Sequence, residues 1–171
     1  VWRLDGSVVL AHADRPCRLD YEVVCDREWR TQTARVSGWI GGTSVVVELA
    51  RDPSGAWRRD GAIAPGVAGC IDVDLGFTPS TNTLPIRRLA LDVDASAPVR
   101  AAWLRFPELT LEPLEQVYRR TADHTYRYES GGGRFVAVLD VGAAGLVSRY
   151  GDYWRATVGP VASPPTGQAA V

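Results

Sequence analysis

Asp72 and Asp74 stand two residues apart in a strand-like run, followed by Thr81, Asn82 and Thr83 and then by Arg87 and Arg88. Alternate residues of a strand share a face, so both carboxylates point one way while Ile71, Val73 and Leu75 point the other. Two neighbouring carboxylates repel unless a cation or hydrogen-bond donors sit close. An arginine folded back over them supplies both, because its planar fork donates two parallel bonds to one carboxylate. Between acids and arginines, Thr78-Pro79 and Leu84-Pro85 bracket the hydroxyl-rich stretch. Each proline sets its own φ and extends the residue before it, and either X-Pro bond is a candidate for the cis form. The hydroxyls and the Asn82 amide can cap the loop's own backbone, leaving it ordered without helix or sheet. The cluster suits two roles equally. It is either the polar half of a ligand site, made by Asp72, Asp74, Thr81, Asn82, Thr83, Arg87 and Arg88, or a buried lock that satisfies its own loop.

Other chemistry is thinly represented. Asp72 and Asp74 could act as acid and base in a hydrolysis, but glycosidase carboxylates usually face each other from farther apart across a cleft. His12 and His124 are the only histidines; His124 follows Asp123, where an acid–base pair is conceivable but a solvated surface histidine is the reading. The sequence has no nucleophile elbow, phosphate loop or paired-histidine zinc motif. Gly131-Gly132-Gly133-Arg134 reads as a hairpin, since no helix follows it to complete a phosphate cradle. Cys17, Cys25 and Cys70 make an odd count without metal-ligand spacing, against both a disulfide framework and a metal site. No catalytic residue, metal ligand or cofactor is therefore assigned. Of the six tryptophans, Trp2, Trp29, Trp57, Trp103 and Trp154 read mostly as core anchors, with some available to stack on sugar rings.

The whole chain bounds these readings. It has 171 residues, 46% of them hydrophobic, enough for one domain with a real core. Nineteen basic residues, all arginine, against 20 acidic ones leave a net charge of −1, so no overall field draws it to nucleic acid or an anionic membrane. The Arg/Tyr interleaving over 118–128 reads as a solvated strand face. The sequence shows neither a charged start ahead of an apolar core nor a run of about 18 apolar residues. That reading puts the protein in the cytoplasm without membrane insertion. Nothing in the sequence speaks to oligomeric state.

The elements that must position the cluster are strands. Alternation and turn residues predict them at 19–26, 29–40 with a bulge at Gly38, 45–51, 56–59, 70–75, 86–93, 99–106 and 109–112. A helical turn is expected only at 113–119. Residues 45–61 align without gaps to 135–151, pairing Val46 with Val136, Leu49 with Leu139, Gly55 with Gly145 and Arg59 with Arg149. Upstream, Tyr21, Asp26, Trp29 and Arg30 match Tyr118, Asp123, Tyr126 and Arg127. Two copies of an antiparallel meander sharing one core follow from this, as an all-β domain over 1–158 with very little helix and a disordered tail at 159–171. Several strands are apolar on both faces: Val46 beside Val45 and Val47, and Val136 and Val138 opposite Phe135, Ala137 and Leu139. With so little helix, the second face calls for another sheet layer or an apolar interior that admits a ligand.

The run from Gly69 to Leu89, Gly-Cys-Ile-Asp-Val-Asp-Leu followed by Thr-Pro-Ser-Thr-Asn-Thr-Leu-Pro-Ile-Arg-Arg-Leu, resembles the signature of a bacterial family, the putative glycolipid-binding proteins. Tyr21, Asp26, Trp29-Arg30-Thr31, Gly55, Trp57, Asp60-Gly61, Gln116-Val117-Tyr118, Gly145-Leu146-Val147, Tyr150 and Trp154-Arg155 extend the resemblance to about Thr157. Gly142 and Gly151 stand where the family pattern calls for an acid and a proline. The resemblance implies a spiral β-roll or partly open barrel. It also implies noncatalytic binding of a glycolipid or fatty-acid-like amphiphile, its tail in the roll and its head at the acid–arginine cluster. The competing expectations are an enzyme acting on a small polar substrate through that cluster, and an interaction domain without a ligand.

Overall fold

A computed structural model describes residues 1–157; the tail expected at 159–171 lies outside the described residues. The chain forms two sheets, the second carrying a short helical strap, with 59% of residues in strands and 9% in helix. The first sheet is an antiparallel meander of six strands in chain order: β1 (Trp2–His12), β2 (Arg15–Cys25), β3 (Thr31–Ile40), β4 (Thr43–Arg51), β5 (Trp57–Arg59) and β6 (Ala62–Ile63). The second contains β7 (Asp72–Leu75), β8 (Ser96–Arg105), β9 (Thr110–Ala122), β10 (Thr125–Ser130), β11 (Phe135–Val141), β12 (Val147–Tyr150) and β13 (Trp154–Arg155). It runs β13-β12-β11-β10-β9-β8-β7, and one of the two sheets is curled into a half-barrel.

β7 is the one parallel member of its sheet, with Asp72 beside Ala101 and Asp74 beside Trp103. Parallel neighbours need a crossover connection. A 3₁₀ turn at Pro79–Asn82 and the helix α1 (Thr83–Leu89) supply it. A strand was expected over 86–93 and a non-helical loop before it; both are overturned. Pro85 falls in the first turn of α1, where a missing N–H costs nothing. The bias of a pre-proline residue toward extended structure is overridden at Leu84, which is fully buried. The cis bond is not in this loop but at Phe106-Pro107.

Buried residues form two clusters rather than the single core expected. One packs Leu19, Val23, Val36, Leu49 and Trp57 of the first sheet against Val73, Leu75, Ala102 and Leu104 of the second. The other packs Val99, Tyr118, Tyr126, Tyr128 and Leu139 of the second sheet together with Ile86 of α1. Alternation along β7 therefore sends Val73 and Leu75 into the first cluster and the two aspartates toward α1.

Three further expectations fail. Residues 113–119 belong to β9, not to a helical turn. Pro113 is tolerated there because β10 pairs only with residues from Gln116 onward, leaving that edge of β9 without a ladder partner. Gly38 makes no bulge; it stays in register with Leu19 and Val45. Its φ of +149° and a Cβ position that would collide with the Arg18 carbonyl oxygen explain the glycine. Finally, the second apolar face is neither covered nor hollow. Val46, Val136 and Val138 are 57%, 45% and 41% exposed. Val136 and Val138 lie opposite Glu129 and Arg127, whose aliphatic stems can shelter them.

The N-terminal strand β1 had no counterpart in the sequence reading. It is an edge strand with no fully buried residue. Its hairpin turns on Ala13 and Asp14, both at positive φ, without the Asn-Gly or Asp-Gly pair that normally announces such a turn. The hairpins at 49–59 and 139–149 close alike: Gly55 N–H donates to Asp52 O at 2.9 Å, and Gly145 N–H to Gly142 O at 2.8 Å. They part where β11 and β12 slip register between Asp140 and Val141.

Candidate functional site

The acid–arginine cluster divides into two halves with different surroundings. Arg88, in the last turn of α1, donates from Nε to Asp72 Oδ1 at 3.1 Å and from Nη2 to Oδ2 at 2.5 Å. Asp72 is 1% exposed. Burial raises its pKa while the Arg88 bonds pull it down. Thr81 Oγ1 accepts the Leu75 N–H at 3.2 Å. Asn82 donates to Pro79 O at 3.0 Å and accepts the Tyr118 hydroxyl at 2.7 Å. Thr83 is buried, and its hydroxyl has no partner among the described residues. The space among Asp72, Thr81, Asn82 and Tyr118 leaves no volume for a water molecule. This half ties the strap to the sheet. Arg87, one residue round the helix from Arg88, points elsewhere: it donates to the Ala144 carbonyl and lies 5.8 Å over the Trp29 ring.

Asp74 has a different neighbourhood. Its Oδ2 accepts the Gln116 amide at 2.6 Å, and no arginine pairs with it among the described residues. Burial pushes its pKa up to about 6, the Gln116 bond works against that rise, and the Asp72 charge adds to it. Asp74 and Asn82 line a cleft of about 600 Å³, the only two of the seven candidate residues to do so. Tyr128, Phe135, Tyr150, Tyr153 and Trp154 form one wall, and Phe77, Trp103, Phe106 and Leu10 the other. Tyr128, Phe135, Tyr150 and Tyr153 of the first wall form a connected aromatic cluster of mostly tilted and edge contacts. Tyr128 is centred 6.0 Å from Tyr150, and Phe135 lies nearly parallel to Tyr150 at 6.1 Å. Phe77 and Phe106 meet edge to face at 6.3 Å on the other side. Tyr153 and Trp154 are exposed and stand at the rim. Burial pushes the phenols of Tyr118, Tyr128 and Tyr150 up, so they stay neutral.

Of the cleft residues, sequence reasoning singled out Asp74 and Asn82, read Trp103 and Trp154 mostly as core anchors, and missed the rest of the aromatic wall. The available signal was the alternation of Tyr126 and Tyr128 with Arg127 and Glu129 on β10. No group of three His, Cys, Asp or Glu side chains that could hold a metal occurs among the described residues. The three thiols are buried and free. Burial raises Cys25 to about 12 and Cys70 to about 11, which keeps both protonated. No described helix is long and apolar enough to cross a membrane.

Fold and cleft together define an all-β protein whose curled sheet carries an aromatic groove over a single unpaired carboxylate. The chain belongs to the family described as "Putative glycolipid-binding", whose model matches residues 1–156. The crystal structure of a DUF1089 family protein from Pseudomonas aeruginosa, at 1.80 Å resolution, is similar. It superposes with a TM-score of 0.80 at 30% identity over 91% of each chain. No curated protein matches the chain.

Proposed function

We propose that this protein binds an amphipathic small molecule, a glycolipid or a related amphiphile, in the aromatic cleft without transforming it. The observation that carries the reading is the cleft itself. Its volume of about 600 Å³ and its mostly apolar and aromatic lining with a few convergent polar groups suit a small-molecule site. Ring faces suit acyl chains and the C–H faces of sugars, while Asp74 offers an acceptor at the inner end. The family description points the same way. A hydrolase reading is weaker. Asp74 is the only carboxylate among the described cleft residues, and Asp72 is held by Arg88, so the acid and base that such a reaction needs are not both at hand. Trp103 and Trp154 lie in the cleft walls, so ligand entry should change tryptophan fluorescence. Saturable fluorescence changes with short-chain glycolipids, together with co-purified lipid in gentle mass spectrometry, are the expected results. An apo mass combined with no response to an amphiphile panel would refute the proposal.

A further inference from the structure

Two aspartates of the second sheet are held by arginines and a third is not. Asp72 has Arg88, and Asp140, on β11, has Arg149 at 2.6 Å. Asp74 has only the neutral amide of Gln116, bound to Oδ2, and no hydrogen bond to its Oδ1 is recorded among the described residues. In a chain with 19 arginines, none lines the cleft among the described residues. The only formal charge on that lining is one negative charge.

An amphiphile that fills the groove strips water from Asp74. A carboxylate removed from water needs a counter-charge or strong donors. A sugar head offers only neutral hydroxyl donors and no counter-charge, and an anionic head adds repulsion. A cationic head completes the pair, and the ring faces of Tyr128, Phe135 and Tyr150 add the attraction that aromatic cages exert on ammonium groups. We infer, resting on the amphiphile reading above, that the head group this cleft selects carries a positive charge, a protonated or quaternary amine, with Asp74 as its counter-ion.

The charged and titratable groups around Asp74 are Asp72 on the same strand, Arg88 on α1, and the phenols of Tyr118, Tyr128 and Tyr150 on β9, β10 and β12. The phenols stay neutral and Asp72 is tied to Arg88, while His12 on β1 packs edge to face on the cleft-lining Phe106 at 5.2 Å, so a pH effect belongs to Asp74 only where His12→Asn keeps it.

The test compares three amphiphiles with one tail, decyltrimethylammonium, decyl maltoside and decyl sulfate. Each is titrated below its micelle concentration against tryptophan fluorescence, with wild type and Asp74→Asn. At pH 8 the ammonium compound should bind wild type on the order of tenfold more tightly than the maltoside. That advantage should vanish in Asp74→Asn and shrink in wild type as the pH falls to 5. Maltoside binding as tight as the ammonium compound, or an ammonium preference that survives Asp74→Asn, would overturn the inference while leaving the amphiphile reading intact. Tightest binding of the sulfate would reverse its sign. No binding of any of the three would remove the parent reading and this one together. The same pH series on His12→Asn, which keeps Asp74, decides the matter even if Asp74→Asn folds poorly.

Discussion

Replacing Asp74 by Asn should make the protein more stable at pH 8 and leave it nearly unchanged at pH 4. Asp74 has its pKa raised from 3.8 to about 6 on folding. A carboxyl whose folded pKa exceeds its unfolded value holds its proton longer in the native state. Its contribution is therefore fully present below about pH 4 and is lost as pH rises through about 6. The shift is about 2 units, and at 1.36 kcal/mol per unit the native state gives up about 3 kcal/mol between those limits. Asp74 is only half-buried as a residue, which lowers the expected gain to about 1–2 kcal/mol. The Asn side chain keeps an oxygen to accept the Gln116 amide, so no donor is orphaned. Urea unfolding of both proteins at pH 4, 6 and 8 measures the gap directly. It should open with rising pH, with equal m-values. A variant less stable than wild type at pH 8, or a gap that ignores pH, would refute the claim that burial of an unpaired charge strains this site. A residue that weakens the fold at neutral pH and faces a cleft is what a binding role would retain.

Arg88→Met should cost about 3–5 kcal/mol at pH 7, because it leaves Asp72 buried without its counter-ion. The loss should shrink as the pH drops and Asp72 takes up a proton, which a denaturation series can follow. Gly38→Ala should cost about 3 kcal/mol or more by urea unfolding, since the new methyl meets the Arg18 carbonyl at a φ that alanine avoids. Tyr118→Phe removes the donor to Asn82 Oδ1 and should cost about 1–3 kcal/mol; an unchanged unfolding midpoint would show that water or another donor replaces it.

The sequence by itself determined the strand content, most hairpins, and the pairing of an arginine from the 87–88 doublet with an aspartate of the 72–74 run. These depend on neighbours in the chain: side-chain alternation, turn residues, and opposite charges a short loop apart. Tertiary structure decided the rest. The strap is helical because Leu84 and Ile86 pack into two different clusters on either side of it, a demand that no local proline rule encodes. β9 runs through Pro113 because its neighbour ends before that residue. Arg88 rather than Arg87 meets Asp72 because one step round a helix turns a side chain by roughly 100°. The cleft joins Leu10 of the first sheet with Asp74, Trp103, Tyr128 and Trp154 of the second, residues from distant parts of the chain that only the packing of the two sheets brings together. A groove of that kind is a property of shape, and shape arises from long-range packing rather than from the order of residues along any one strand.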